Sequence, residues 1–234
     1  MSEAFERVRG MRELPLFPLP LVLFPGVPLP LHIFEPRYRQ MLKDVRAGRN
    51  LFGVSYFDAE KGGMLEHPPV GHVGCATEVV EVQPTPDGRS NILTLGLIRY
   101  RVEAYVETDE PYLVARVEFF EDEAEDEALL QARAEAVLEL FMRIARAVRT
   151  INDERASLPE IPEAGPERLS FLVAAAMEME PEVKQELLEL RRSSERLMRV
   201  ETLLMQVVGN YEERARMHTI ARGNGHGGKQ IDLS

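Results

Sequence analysis

From Glu121 to Leu158 the chain contains neither glycine nor proline, whereas the stretch from Leu14 to Phe120 is repeatedly broken by both. A long run without breakers permits a long helix, while short β-branched and aromatic runs between prolines and glycines form strands and turns. The expected fold class is therefore α+β: an N-terminal β-rich subdomain with one short helix, followed by a C-terminal helical bundle. The boundaries expected are a flexible N-terminus over 1–11, the β-rich part over 12–120, the bundle over 121–218 and a disordered Gly-rich tail over 219–234.

In the second half Leu130, Ala134, Val137, Phe141, Ile144, Val148 and Ile151 recur at spacings of four and three, the seam of an amphipathic helix of about 28 residues. The acids of Glu121–Glu127 fall at its start, where the helix dipole favours negative charge, and read as a solvated first turn. Pro166 and Pro181 suit the first positions of two short helices, about 167–178 and 181–191. Ser193 or Ser194 then caps a final helix with an apolar stripe of Leu197, Val200, Leu204, Val207 and Tyr211. These stripes predict a four-helix packet within the chain.

In the first half, Asp87-Gly88 between Glu78–Gln83 and Asn91–Leu97 is a hairpin signal, because the turn needs positive φ. A second strand pair is expected over Ile98–Glu107 and Tyr112–Phe120, each with one buried and one wet face. Tyr38, Met41, Leu42 and Val45 share a face over Pro36–Ala47 and predict the lone helix of this half.

The formal charge of −11 over 234 residues weighs against electrostatic capture of nucleic acid or anionic lipid. Cys75 is the only cysteine, so neither an intramolecular disulfide nor a cysteine zinc cluster can form. The charged opening MSEAFERVRG and the lack of an apolar run long enough to span a bilayer lead to the expectation of a chain neither exported by an ordinary signal peptide nor membrane-spanning. The expected location is cytoplasmic, with no membrane partner.

The run Leu14-Pro15-Leu16-Phe17-Pro18-Leu19, then Val22-Leu23-Phe24-Pro25-Gly26, and then Leu29-Pro30-Leu31-His32-Ile33-Phe34-Glu35-Pro36-Arg37-Tyr38 closely resembles the opening signature of the amino-terminal substrate-binding domain of the Lon protease family. Phe52-Gly53-Val54, Val73-Gly74-Cys75-Ala76-Thr77, Asp87-Gly88 and Leu95-Gly96-Leu97-Ile98-Arg99-Tyr100-Arg101-Val102 follow in that family's order. Arg168-Leu169 and Lys184-Gln185-Glu186-Leu187-Leu188-Glu189 continue the likeness, which spans about 12–208. Gly74-Cys75 departs from the Gly-Thr usual there. The resemblance implies a PUA-like β subdomain and a helical bundle that recognise unfolded or degron-bearing polypeptides, without the ATPase motor and protease that follow this domain in Lon. A protease or chaperone is the implied downstream partner.

Catalysis needs a nucleophile with a base, paired carboxylates in a cleft, or metal ligands at workable spacing. His67 and His72, with Glu66, flank a Pro-Pro loop and offer a metal clip only if that loop folds suitably. Cys75 reads as a strand thiol and His32 as a hydrogen-bonded structural histidine. Gly223–Gln230 satisfies G-x-x-x-x-G-K, but Gln230 replaces the Mg-binding hydroxyl, no strand precedes it and no helix follows. The expectation is a chain that is not an enzyme, with no catalytic residues, no metal and no cofactor.

Prolines at 15, 18, 20, 25, 28 and 30 remove backbone donors, so much of this segment should be edge strand or loop, and irregular edges can accept an extended peptide by strand addition. Its large apolar groups then risk exposure, which in a soluble protein marks an interaction site. Leu23, Phe24 and Pro25, with Phe34 and Tyr38 nearby, are the expected lining of a shallow apolar groove for unfolded segments; the alternative is that these side chains, Phe34 and Tyr38 above all, build the β core. Glu35 and Arg37 form its polar rim. The competing readings are an RNA-binding PUA-like protein and a small-molecule enzyme using a cleft between subdomains.

Overall fold

The computed structural model describes residues 2–58, 60, 67–154 and 164–224. The elements are α1 (Glu3–Val8), β1 (Glu13–Leu19), β2 (Pro28–Ile33), α2 (Pro36–Ala47), β3 (Leu51–Tyr56), β4 (Val73–Pro84), β5 (Ser90–Val106) and β6 (Leu113–Phe120). The helices α3 (Glu127–Ile151), α4 (Pro166–Ala176), α5 (Pro181–Glu189) and α6 (Ser193–Asn224) follow. The chain forms two compact units, Met1–Ala124 with Phe171–Ser193, and Glu125–Ser170 with Ser194–Ser234.

In the strand unit, the order β2-β5-β4-β3-β1-β6 with an additional β5–β6 pairing closes five strands into a ring and leaves β2 as an appended edge. β5 serves both roles because it is one continuous strand of 17 residues, where the sequence pattern suggests two. Its N-terminal half pairs with β2 and its C-terminal half with β6. Between the halves Thr77 faces Gly96 and Ala76 faces Ile98, so Leu97 is an extra residue. Such a bulge turns the following side chains to the opposite face. Ile92 accordingly packs in a cluster with α2 residues Tyr38, Met41, Leu42 and Val45, whereas Ile98, Tyr100 and Val102 pack with Leu14, Leu16 and Val117.

β1 is an internal strand despite Pro15 and Pro18, which corrects the expectation of edge or loop for this piece. Each half of β1 is paired on one side only: Glu13–Leu16 with β6 and Leu16–Leu19 with β3. Arg12 and Leu19 supply the bracketing contacts, their carbonyls accepting from Val117 N–H and Phe57 N–H (2.9 and 2.8 Å). Alternation then turns the donorless nitrogens of Pro15 and Pro18 toward the side on which that half has no ladder.

The β4–β5 turn stands where Asp87-Gly88 predicts it, with a single left-handed residue, Gly88 (φ 78°). Thr85 N–H bonds Arg89 C=O at 2.9 Å and Gly88 N–H bonds Thr85 C=O at 3.0 Å. Residues 1–11 were expected to be flexible; Glu3–Val8 instead form α1, Ser2 caps it by accepting from Phe5 N–H, and Val8 is buried.

Segment Phe171–Ser193 joins the strand unit through polar contacts that range from buried to exposed. Arg99 donates to the carbonyls of Leu188 (2.9 Å), in the last turn of α5, and Leu190 (2.5 Å), just beyond it, and pairs with Asp122. Gln185 donates to Val73 C=O at 2.9 Å, and Tyr56 to Glu182 at 2.8 Å. Asp122, read from the sequence as part of a solvated helical turn, lies before α3 and is buried; the helix itself is capped by Asp126.

In the helical unit, Arg133 and Arg143 of α3 pair with Glu201 and Glu212 of α6, and Asp153 after α3 pairs with Arg222. The partner numbers rise together, so α3 and α6 run parallel. The buried stripe of α6 is Leu197, Val200, Leu204, Val208 and Ala215, leaving Val207 exposed. The sequence reading follows a 3.5-residue repeat, and the true 3.6-residue turn drifts off it along a long straight helix. The G-x-x-x-x-G-K segment lies almost entirely outside the described residues, as do Glu66 and much of the Pro-rich loop before α4.

Candidate functional site

The expected groove residues do not share one surface. Leu23 and Phe24 are buried, at 3% and 1% exposure, which overturns their assignment to an exposed groove. The cause lies in the backbone: Gly26 N–H donates to Gly96 C=O and Gly96 N–H to Val27 C=O, drawing the 20–27 loop onto β5. Only a glycine at 96 allows this, because a Cβ there would lie 2.2 Å from the Phe24 carbonyl oxygen. Phe24 thereby reaches Phe171, with ring centroids 6.0 Å apart. Tyr38 is buried as well, its ring 4.0 Å from that of Phe17, and Arg37 covers its other side at 4.5 Å. Pro25 is half-buried. Glu35 pairs with Arg37 at 2.8 Å, and Phe34, at 55% exposure, is the one large apolar group of the expected set that meets solvent.

Phe34 belongs to a different surface, the outer face of β2, β5 and β4. The register places Pro28, Leu95 and Glu78 side by side, then Pro30, Leu93 and Glu81, then His32, Asn91 and Gln83. Val80 is the extra residue of a bulge between Val79 and Glu81 and is 59% exposed. Leu95 is also exposed, and Leu93 half-buried. Phe34 stacks on His32 at 6.0 Å with 21° between the rings, and His32 Nδ1 donates to Asn91 Oδ1 at 2.7 Å. At strand spacings this three-stranded face is about 20 Å long and 10 Å wide, the footprint of a short extended peptide, with its apolar groups on β2 and β5 and at Val80.

The free edge of β2 is chemically one-sided. Val27 accepts from Gly96, so Leu29, Leu31 and Ile33 direct their backbone groups to β5, while Pro28, Pro30 and His32 direct theirs outward. That edge offers three carbonyls and one N–H. Strand addition needs both donors and acceptors, so a partner on this surface must be held chiefly by side chains.

Other candidate groups are occupied structurally. Cys75 is fully buried, and burial pushes its thiol up to about 12, which removes the thiolate that nucleophilic chemistry needs. His67 stacks on Tyr105 at 3.9 Å and contacts the Pro68 carbonyl. Burial holds the His72 imidazole down at about 4. Among the described residues there is no group of three or more His, Cys, Asp or Glu placed to hold a metal ion, and no helix long and apolar enough to cross a membrane.

Sequence reasoning missed Val80, Leu93 and Leu95. Leu93 and Leu95 alternate with the buried Ile92 and Thr94, so the run Asn91–Leu97 reads as a strand buried on both faces. Its sparse polar residues carry no local sign of which face meets water.

Comparison with known proteins follows this geometry. The profile of the family described as the ATP-dependent protease La (LON) substrate-binding domain matches residues 13–206. The Lon protease of Roseiflexus castenholzii is 29% identical over 192 residues, covering 82% of this chain and 24% of that protein. The Lon protease of Aquifex aeolicus is 27% identical, covering 95% of this chain and 29% of its own length. The chain thus spans about a quarter of the length of these curated relatives. Among solved structures, a Lon N-terminal domain protein from Xanthomonas campestris is similar with a TM-score of 0.58 and 22% identity, over 81% of this chain and 97% of that one. The N-terminal domain of Mycobacterium avium complex Lon protease also gives 0.58, at 18% identity, over 85% and 98%. At these identities the structural likeness shows the fold.

Proposed function

Since the chain belongs to the Lon substrate-binding domain family, we propose that it binds unfolded or degron-bearing segments of other polypeptides on the outer face of β2, β5 and β4, as an adaptor or chaperone-like module that holds clients without transforming them. The observation that carries this reading is the exposure of Val80 and Leu95 beside Pro28 and Pro30, with exposed Phe34 farther along β2 beyond the His32–Asn91 pair. An exposed apolar patch on a soluble surface marks an interaction site. Side-chain contact without backbone pairing favours segments rich in apolar residues and tolerates their order, as a recogniser of unfolded chains requires.

The flanks fit the same use. Glu78, Glu81 and Gln83 on β4 and the His32–Asn91 pair border the face with polar groups. The buried thiol and the stacked His67 supply no acid–base or nucleophilic pair beside it.

The test is binding of a fluorescent, reduced and carboxymethylated protein, which cannot fold. Leu95→Asp and Val80→Asp are expected to weaken it about tenfold each, in keeping with about 1.5–3 kcal/mol for burial of an aliphatic side chain. Both positions are exposed, so the melting temperature should barely move. Unaltered binding by both variants overturns this site.

A further inference from the structure

Beyond the end of β2, in the strand unit, a cleft of about 430 Å³ opens between α2 and the β4–β5 turn, lined by Pro36, Arg39, Gln40, Lys43, Gly88 and Ser90. Ser90 faces Ile33 at the end of β2, and Pro36 follows Phe34 by two residues. α2 packs on the Ile92 side of the sheet, so a polypeptide lying on the Leu93 side enters this cleft by passing round the Phe34 end of β2.

The charges around it are unevenly satisfied. Glu35 is taken by Arg37, Asp44 by Gln40 (2.9 and 3.0 Å) and Tyr112 (3.0 Å), and Asp87 by Arg89 (3.1 Å). Arg39 and Lys43, one turn apart on α2 and both exposed, pair with no acid among the described residues. In a chain with 39 acids and 28 lysines and arginines, two adjacent unpaired cations lining a cleft stand against the general balance. Arg39 is also directed onto the turn, since a methyl group on Gly88 would come 2.6 Å from its guanidinium.

We propose that this cleft is a subsite for a carboxylate of the bound polypeptide, an acidic side chain next to its apolar segment. The proposal rests on the apolar-face reading above and adds a specificity to it. A guanidinium fork donates two parallel hydrogen bonds to a carboxylate, and a neighbouring ammonium adds a point charge that tolerates its position. Two cations suit one or two negative charges. A long polyanion would have to lie against a molecule whose net charge repels it.

The experiment compares two fluorescent peptides that share a Leu- and Val-rich segment and end in either two Glu or two Gln. The wild-type chain should bind the Glu peptide about tenfold more tightly, a gap that narrows as salt is raised. Arg39→Gln with Lys43→Gln should bring the two peptides to the same affinity, and Leu95→Asp should weaken both. Equal affinities in the wild type, or a gap that survives the double substitution, overturn the carboxylate subsite while leaving the apolar-face reading intact. Failure of both peptides to bind overturns both readings. Single-stranded RNA binding that depends on Arg39 and Lys43, without a Glu preference, reassigns the cleft to nucleic acid and also overturns the proposal.

Discussion

Arg99 takes a full charge into the interior of the strand unit, at 2% exposure, where the rings of Phe120 and Phe171 lie 4.6 and 5.4 Å from its guanidinium carbon. Removing one partner of a buried ion pair leaves the other uncompensated, at a typical cost of about 3–5 kcal/mol. Arg99→Met should lose stability of that order in urea unfolding, and adding Asp122→Leu should recover part of it. Phe24→Ala should cost about 3–5 kcal/mol as a buried aromatic truncation, whereas Phe34→Ala should stay within about 0.5 kcal/mol. His72 gives a pH signature. Its pKa falls from the model-peptide value near 6.5 to about 4 on folding, so the unfolded chain binds the extra proton between those values. Its contribution to stability is complete above pH 6.5 and is lost as pH falls toward 4, by at most about 3 kcal/mol. The slope of unfolding free energy in that window should flatten in His72→Gln relative to wild type.

Among the elements, those set by local rules were legible in the sequence. The α2 face of Tyr38, Met41, Leu42 and Val45, the prolines opening α4 and α5, and the Asp-Gly turn all follow from periodicity or backbone chemistry within a few residues. What escaped depends on contacts distant in sequence. The burial of Leu23 and Phe24 is decided at Gly96, and that of Asp122 at Arg99; neither partner is marked as such by its own neighbourhood. Only part of the candidate site could be read for the same reason: Phe34 was identified, while Val80 needed a bulge to turn it outward. Gly96→Ala tests the long-range contact, because its new methyl group must displace the Phe24 backbone. A loss of about 1–3 kcal/mol or more is expected in thermal or urea unfolding, with the 20–27 loop gaining amide exchange.

At the scale of the whole molecule, the chain leaves the strand unit at Ala124 and returns to it at Phe171. A fragment ending at residue 124 would lack Phe171, α5 and the Leu188 and Leu190 carbonyls, leaving Arg99 with Asp122 but without these two acceptors and the Val73 carbonyl without Gln185. Such a fragment should show poor dispersion in its NMR spectrum and no cooperative melt, despite containing every strand. Supplying 171–193 through a short linker should restore both. The edge of β2 has a different consequence at this scale. Any molecule that gathers sticky chains risks being recruited into the fibres they form, since growth of a cross-β stack proceeds by templating on an open strand edge. Pro28 and Pro30 deny such a template to the outer edge of β2, which a chain acting in the proposed way would need in order to stay out of the aggregate.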